Sequence, residues 1–126
     1  MRISAYDSIL STLDTGEVCR GDQDGFELIG ALWCALWGNV VDITNRSEKI
    51  GQRWESQDYY NEVLSDIYWR SMEPGYIDDD ERLGLDIDLL KESMNDLCPA
   101  GYYFGGHPDD AWRLGVWPSC WIEEAE

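Results

Sequence analysis

The segment that most constrains the fold is the run of residues 26–37, FELIGALWCALW, which is apolar nearly all round. Phe26, Trp33 and Trp37 follow the period of an α-helix, and Gly38-Asn39 supplies a helix stop. A helix that is apolar on every side belongs at the centre of a core. We therefore expect residues 26–37 to form the central helix. The core residues expected from it include Trp33, Cys34 and Trp37.

Three further segments have the helical period. Residues 4–13 are predicted to be a short amphipathic helix with Ser4 as its N-cap, and residues 56–72 a longer helix. The last helix covers residues 86–97, and Pro99 ends it. The side chains expected to face the core from these last two helices are Tyr60, Val63, Leu64, Ile67, Tyr68, Ile87, Leu90, Met94 and Leu97.

The segments between these helices give weaker signals. Residues 14–25 are predicted to be an acidic loop punctuated by glycines, and residues 76–84 an acidic connector. Residues 39–55 are ambiguous, because VVDI fits a short strand whereas residues 45–51 fit a charged surface loop.

The C-terminal part is predicted to be an aromatic β-hairpin. Residues 102–104 and 112–117 have strand composition, and GGHPDD between them is rich in turn formers. We expect the hairpin's aromatic side chains to pack on the helical body, with a partner-facing patch as the alternative. These side chains are Tyr102, Tyr103, Trp112, Trp117 and Trp121. Residues 1–126 are thus expected to form one acidic α+β domain, with about four helices in the core and an aromatic-rich C-terminal hairpin.

Folding must hold a large negative charge on the surface of this domain. The chain has 26 Asp and Glu against 9 Lys and Arg, a net charge of -17, while its 44% of hydrophobic residues argues against disorder. Such a surface repels nucleic acid and anionic membranes and attracts a basic partner. No apolar run approaches the length of a membrane span, and the N-terminus lacks the apolar core of a signal peptide. We expect a cytoplasmic protein with free thiols.

The carboxylates expected to contact the basic partner lie on two helices and the connector between them. Asp58, Glu62 and Asp66 recur every four residues opposite the apolar face, at steps of about 6 Å along the helix. Phosphates along one DNA strand recur at about 3.4 Å, so such a row loosely matches every second phosphate. The alternative is a solvated helix face. The remaining predicted partner-binding residues are Asp78, Asp79, Asp80, Glu81, Asp88, Glu92 and Asp96. Asp86 is placed on the same negative surface.

Other chemistry fits the sequence less well. Neither acidic stretch has the spacing of an EF-hand loop, and the four cysteines lack the close pairs of zinc sites. His107 is the single histidine and lies in the turn-forming GGHPDD, and no glycine-rich phosphate-binding loop occurs. We therefore expect no metal, no cofactor and no enzymatic activity.

Residues 65–122 resemble small acidic proteins of unknown role that tailed bacteriophages encode. The resemblance is carried by IYWRSMEPGYIDDDERL and LCPAGYYFGGHPDDAWRLGVWP, which combine a Trp-containing helix, an acidic loop and an aromatic hairpin with a G-x-H-P-type turn. The chain departs from that pattern at residues 109–112, DDAW, where Gly is more common. The resemblance implies a phage or mobile-element origin and no particular activity. In size and acidity the chain is also similar to the DNA-mimic inhibitors of CRISPR and restriction systems.

These features together predict an inhibitor that acts in the cytoplasm of an infected bacterium. Its carboxylates would occupy the DNA- or RNA-binding surface of a basic host defence complex. The alternative is an immunity- or antitoxin-like protein that neutralises a basic nuclease, since a negative surface would attract that partner too. An enzyme that uses His107, and a virion component whose charge only aids solubility, are alternatives from other classes. The oligomeric state is open, a dimer included.

Overall fold

The computed structural model describes residues 2–3, 16–21, 25–51, 53–54, 56–98 and 101–120. The elements in these ranges are β1 (Arg2–Ile3), β2 (Gly16–Arg20), α1 (Gly25–Lys49), β3 (Arg53–Trp54), α2 (Gln57–Ser71), a 3-10 turn (Tyr76–Asp78), α3 (Asp80–Asp96), β4 (Tyr102–His107) and β5 (Asp110–Pro118). β1 pairs in parallel with β3. Three helices and an antiparallel sheet confirm the α+β class. The described ranges do not match the four predicted helices, and the predicted helix at residues 4–13 lies outside them.

The first helix, α1, is longer than the sequence predicts. It continues through Gly38-Asn39, so the predicted helix stop at that pair is wrong. It also takes in VVDI, one candidate strand, and most of the candidate loop at residues 45–51. Val40 and Ile43 explain the difference, because their burial in the core outweighs the helix-breaking tendency of one glycine. The helix ends before Gly51, whose φ of 70° is the left-handed conformation that terminates helices.

By length and composition alone, α1 could cross a membrane. Its most apolar window has a mean hydropathy of 1.4, and 39% of that window is buried inside the molecule. The expectation that no segment reaches this length is therefore wrong for α1. The core helix of a soluble domain has the same properties, so length and composition carry little weight here.

The core lies where α1 packs against α3, α2 and the sheet. Leu32, Leu36 and Ile43 of α1 are fully buried. Most of the side chains predicted to face inward around α2 and α3 are buried as expected, namely Tyr60, Val63, Leu64, Ile67, Leu90, Met94 and Leu97. Tyr68 differs, since 42% of it is exposed, and Ile87 is only partly buried.

The three-stranded sheet has the order β2-β5-β4, and both pairings are antiparallel. β4 and β5 form the predicted hairpin, with Gly105 opposite Gly115. Residues 16–20 form β2 on the other side of β5, where the sequence predicts a loop. Such a short strand depends on its pairing partner more than on its own residues. The Phe104 N–H donates to Asn95 Oδ1 at 2.9 Å, which ties the sheet to α3.

The aromatic side chains of the hairpin divide between core and surface. Trp117 is buried and Tyr103 is partly buried. Trp112 is 58% exposed and Tyr102 is exposed too, so the expectation that these residues pack in the core is wrong for both. Trp121 lies outside the described residues.

Candidate protein-binding surface

The first group of predicted partner-binding carboxylates lies on α2 and is called here the α2 row: Asp58, Glu62 and Asp66. All three are exposed. At about 100° per residue they fall within one quarter of the helix circumference, roughly opposite the buried Ile67. Trp69 falls on the same outer face and is 66% exposed. Trp69 therefore follows the α2 row at its C-terminal end, about 4.5 Å along the helix axis beyond Asp66.

A second group lies on the outer face of α3 and is called the α3 row: Glu81, Asp88 and Glu92. These side chains are exposed, and the projection places them opposite the buried Leu90. Asp96 follows near the end of the helix and is partly buried. The sequence predicts the exposed positions of Asp88 and Glu92 on this helix, because its apolar and acidic residues follow opposite phases of one period, but it placed Glu81 in the preceding connector.

The acidic connector between the two helices is largely helical. α3 begins at Asp80, so the predicted start near Asp86 is wrong. Asp79 is the N-cap, and its carboxylate accepts a hydrogen bond from the Arg82 N–H at 3.1 Å. Asp80 in the first turn interacts favourably with the helix dipole, and Asp78 ends the preceding 3-10 turn. Asp78, Asp79 and Asp80 are all exposed.

Asp86 is not part of the negative surface on which the sequence placed it. It is 2% exposed. Its carboxylate accepts hydrogen bonds from Arg70 Nη2 at 2.8 Å and from the Tyr76 hydroxyl at 2.7 Å. Arg82 Nε lies 4.0 Å away. Burial together with the hydrogen bond to Asp86 raises the pKa of Tyr76, and the bond to Asp86 raises the pKa of Arg70. Asp86 therefore joins α2, the 3-10 turn and α3.

Arg70 and Arg82 divide the negative surface into two parts. A groove of about 380 Å³ lies between α2 and α3. It is lined by Tyr59, Glu62, Val63, Asp66, Arg70, Arg82 and Leu89. Since both arginines lie beside the α2 row, the α2 and α3 rows form two separate negative strips and not one broad surface. Both arginines also face Asp86, so part of their charge is compensated inside the protein.

Most of the predicted partner-binding carboxylates have no internal counter-ion. Two other arginines form ion pairs between β2 and β5. Arg113 pairs with Glu17 at 3.0 Å, and Arg20 pairs with Asp110 at 3.6 Å. Within the described ranges, the predicted carboxylates other than Asp58 make no ion pair. These are Glu62, Asp66, Asp78, Asp79, Asp80, Glu81, Asp88, Glu92 and Asp96. Asp66 lies near enough to Arg70 to contribute to the raised pKa of that guanidinium, whereas the charge of the others is available to an external cation.

An apolar groove that the sequence does not predict lies between α1 and α2, on a different side of α2 from Glu62 and Asp66. It separates α1 from α2 and has a volume of about 220 Å³. Trp33 is partly buried and packs against the core, whereas Cys34 is exposed and Trp37 is 52% exposed, so the prediction that these residues belong to the core is wrong for Cys34 and Trp37. The spacing of Phe26, Trp33 and Trp37 was the available signal, because it places them on a single side of α1. Because the run is apolar nearly all round, the sequence does not show that this side of α1 is the exposed one.

The remaining polar groups of interest in the described ranges are the single histidine and the four cysteines. His107 ends β4, and its Nδ1 accepts a hydrogen bond from the Asp109 N–H at 3.0 Å, as a turn residue does. Its ring and that of Trp117 form a T-shaped pair with centroids 4.8 Å apart. Among the residues that the structure describes, no group of three or more His, Cys, Asp and Glu could hold a metal ion. The cysteines Cys19, Cys34, Cys98 and Cys120 are free, and burial raises the pKa of Cys98 to about 12.

The described surface therefore combines negative charge with exposed aromatic area. Comparisons of the chain with protein-family models, curated protein sequences and solved structures found no match.

Proposed function

We propose that the protein is a phage-encoded inhibitor that occupies the nucleic-acid-binding surface of a basic host defence complex. The observation that supports this most is the set of exposed carboxylates on α2 and α3 that lack internal ion pairs. A protein that needed negative charge only for solubility would do well with a net charge of about 2–8 in magnitude, and this chain carries -17.

The α2 row is the part best suited to that role. Its carboxylates repeat at about 6 Å along the helix and meet every second phosphate position of a DNA strand. This correspondence is enough for competition with DNA at a lysine- and arginine-lined surface, because the attraction between such charges depends little on exact registry. Trp69 adds an aromatic contact of the kind that anchors protein interfaces.

Charge and aromatic contact would act on different stages of binding. Complementary charge accelerates the encounter and is weakened by salt, whereas buried aromatic contacts slow dissociation. We therefore expect association with the target to slow as salt rises, while the dissociation rate changes little.

The test is charge reversal of the α2 row with a charge-matched control. Asp58, Glu62 and Asp66 are changed together to Lys in one variant. In the control, Glu27, Asp42 and Glu48, which are exposed on α1, are changed to Lys, so that both variants gain equal positive charge. Circular dichroism confirms that both are folded. The immobilised wild-type chain first retains targets from bacterial lysate, which a salt gradient releases and mass spectrometry identifies.

The purified target is then bound to a fluorescent DNA or RNA duplex, and displacement by each variant is followed by anisotropy. We expect wild type and the control to displace the duplex and the α2-row variant to lose at least about tenfold in potency, the equivalent of about 1.4 kcal/mol. Equal potency of the two variants would exclude the α2 row. A target that is itself a nuclease, inhibited without a defence complex, would favour the immunity-like alternative.

A further inference from the structure

The outer side of α1 carries an apolar surface that remains exposed in the folded chain. Phe26 and Trp37 are large exposed side chains, and Gly30 and Cys34 between them are exposed as well. At about 100° per residue, the four positions fall within one quarter of the helix circumference. They are called here the α1 face. Glu27 is the single charged residue from 26 to 41, so this side of α1 is nearly uncharged.

The groove between α1 and α2 opens beside the α1 face. Gly30 and Cys34 line it from α1, and Tyr68 lines it from α2. An engineered apolar cavity of about 150 Å³ accepts a benzene molecule, so a groove of about 220 Å³ is large enough for an aromatic ring. Its lining, as the described residues form it, contains no acidic or basic side chain.

The walls of the groove are fixed before anything binds. The indole N–H of Trp33 donates to the Leu64 carbonyl oxygen at 2.9 Å, which holds this α1 ring against α2. The same ring lies 6.1 Å from that of Tyr68 and 6.5 Å from that of Trp37, centroid to centroid. A preformed site loses little side-chain entropy on binding, which favours affinity.

Gly30 keeps the groove open, although a single chain does not require glycine there. It lies in the interior of α1, where glycine destabilises a helix relative to alanine. A Cβ atom at this position would meet nothing within 4 Å, and its φ is not in the left-handed region. A side chain that enters the groove from another molecule would require the glycine, because a larger residue would fill that space.

The α1 face carries both the groove and a side chain of the size that fills it. Trp37 lies seven residues, or about 10.5 Å, beyond Gly30 along the helix axis. When two copies of α1 lie antiparallel about a two-fold axis between Trp33 and Cys34, Trp37 of each copy lies over Gly30 of the other. A two-fold axis makes this contact twice, since both copies use the same surface. The face is therefore complementary to itself.

Charge favours a second copy over other occupants. A basic partner would find no carboxylate in the groove, and an anionic membrane would be repelled by the net charge of -17. Two copies can meet here without bringing their acidic rows together, because Glu62 and Asp66 lie on a different side of α2, in the groove with α3. The remaining repulsion acts over longer distances and is screened within about 8 Å at physiological salt.

The size of the face predicts a weak dimer. Residues 26–41 span about 24 Å of helix, and α1 with the adjoining side of α2 is about 20 Å wide. Such a face buries about 500 Å² per copy, or about 1,000 Å² in total, which is the range of weak and transient interfaces. Because repulsion opposes the contact, we expect a Kd of about 10–100 µM.

We propose that two copies of the protein associate antiparallel along α1, with Trp37 of each copy inserted into the α1–α2 groove of the other above Gly30. Cys34 of one copy then lies near Cys34 of the other at the two-fold axis. The α2 and α3 rows of both copies stay outside the interface. This association does not depend on the proposed function, because it uses none of the predicted partner-binding carboxylates.

Sedimentation equilibrium over about 5–500 µM, a range that brackets the expected Kd, measures the association. We expect a monomer–dimer equilibrium that strengthens about threefold or more between about 150 and 500 mM NaCl, because salt screens the repulsion between two negative chains. Association with a basic target weakens over the same range, so the sign of the salt effect separates the two kinds of contact. A wild-type chain that stays monomeric at every concentration and salt would overturn the proposal.

Two substitutions and two matched controls locate the interface. Gly30→Leu fills the groove, and Trp37→Ala removes the side chain that enters it. Gly84→Leu is the control for the first, since Gly84 is exposed in the interior of α3 and a Cβ atom there meets nothing within 4 Å. Trp112→Ala is the control for the second, because Trp112 on β5 is exposed to a similar extent as Trp37.

Circular dichroism confirms that all four variants are folded. We expect Gly30→Leu and Trp37→Ala each to weaken dimerisation at least about tenfold, as the loss of an aromatic anchor does. Both controls should dimerise like wild type. A dimer that survives both groove substitutions uses another surface, and the proposed arrangement is then wrong.

A short bismaleimide linker tests the arrangement in the wild-type chain. Cys34 and Cys120 are both exposed, and of these two Cys34 lies on the α1 face. We expect a crosslink between Cys34 of two copies, identified by mass spectrometry of the digested dimer, and its loss in Gly30→Leu. Crosslinks through Cys120 without Cys34 contradict the arrangement. So does a monomeric chain whose Cys34 is shielded from alkylation by a captured target, because the face then belongs to a different protein.

A further variant separates dimerisation from the proposed function. Asp58→Asn, Glu62→Gln and Asp66→Asn together neutralise the α2 row and leave the α1 face intact. We expect this neutralised variant to dimerise at least as strongly as wild type, since repulsion is reduced, while it loses potency in the displacement of nucleic acid. Weaker dimerisation would place the α2 row in the interface and contradict the proposed arrangement, whatever the outcome of the displacement assay.

Discussion

Asp86 shows how one carboxylate among many acquires a structural role. Its neighbours in the sequence, Asp88 included, face water, whereas Asp86 is enclosed and bonded to Arg70 and Tyr76. A buried charge is tolerated only when donors compensate it, and here the donors come from two different elements. Removing the carboxylate would leave the Arg70 guanidinium and the Tyr76 hydroxyl without this acceptor.

We therefore predict that Asp86→Ala lowers the free energy of unfolding by about 2–4 kcal/mol, because a buried ion pair is broken from one side. Asp88→Ala on the exposed face of the same helix should change it by less than about 0.5 kcal/mol. Urea denaturation followed by tryptophan fluorescence measures both. Equal effects of the two substitutions would show that the Asp86 network contributes nothing specific.

At the scale of elements, Gly38 within α1 and Gly51 just after it differ in how they affect the helix. The helix continues through Gly38, whereas it ends before Gly51. Gly38 lies in the middle of the helix, and a Cβ atom there would meet nothing within 4 Å. Gly51 follows the helix with a φ of 70°. Gly38 lowers the stability of the helix, and no close contact there requires a glycine. Gly51 adopts a conformation that other residues reach only with strain.

The predicted consequence is opposite signs for the same substitution. Gly38→Ala should stabilise the protein by about 0.5–1 kcal/mol, since alanine restricts the unfolded chain and favours the helix. Gly51→Ala should destabilise it by about 1 kcal/mol, because the left-handed conformation is retained against the preference of alanine. Thermal unfolding followed by circular dichroism resolves the two shifts. Stabilisation by both would mean that Gly51 does not need its left-handed conformation.

The sequence predicts those elements that are determined by residues close to one another along the chain. The buried face of α2, the exposed positions of Asp88 and Glu92 on α3 and the β4–β5 hairpin follow from period and turn composition within a few residues of one another. β2 is missed because residues 16–20 become a strand only through pairing with β5, far along the chain. The Asp86 network and the α1–α2 groove are missed for a related reason. Each depends on how two helices are placed side by side, which periodicity within one helix does not encode.

At the scale of the whole molecule, four arginines form ion pairs with carboxylates of the same protein. Arg20 and Arg113 pair across the sheet, and Arg70 and Arg82 face Asp86. On the outer faces of α2 and α3, Glu62, Glu81, Asp88 and Glu92 make no ion pair within the described part of the chain, so negative charge concentrates there. Mutual repulsion among these groups acts against the folded state at low ionic strength.

Salt should accordingly stabilise the protein. We predict that Tm rises by several degrees between about 10 mM and 500 mM NaCl, since about 1 kcal/mol shifts Tm by about 4 °C for a domain of this size. The neutralised variant of the α2 row should start from a higher Tm and show a shallower dependence. Scanning calorimetry at a series of salt concentrations measures both slopes. A Tm that falls with salt would mean that the internal ion pairs outweigh the repulsion.

The order of strands in the sheet determines when this protein can finish folding during its synthesis. β5 is the central strand, and the Glu17–Arg113 pair, which joins β2 to β5, connects residues 96 positions apart. Closing so long a loop is entropically costly and slow compared with local helix pairing. A growing chain therefore completes α1, α2 and α3 while β2 still lacks its partner. An interruption of translation before residue 113 would release a chain whose helices are present but whose sheet cannot form, a natural substrate for cellular proteases.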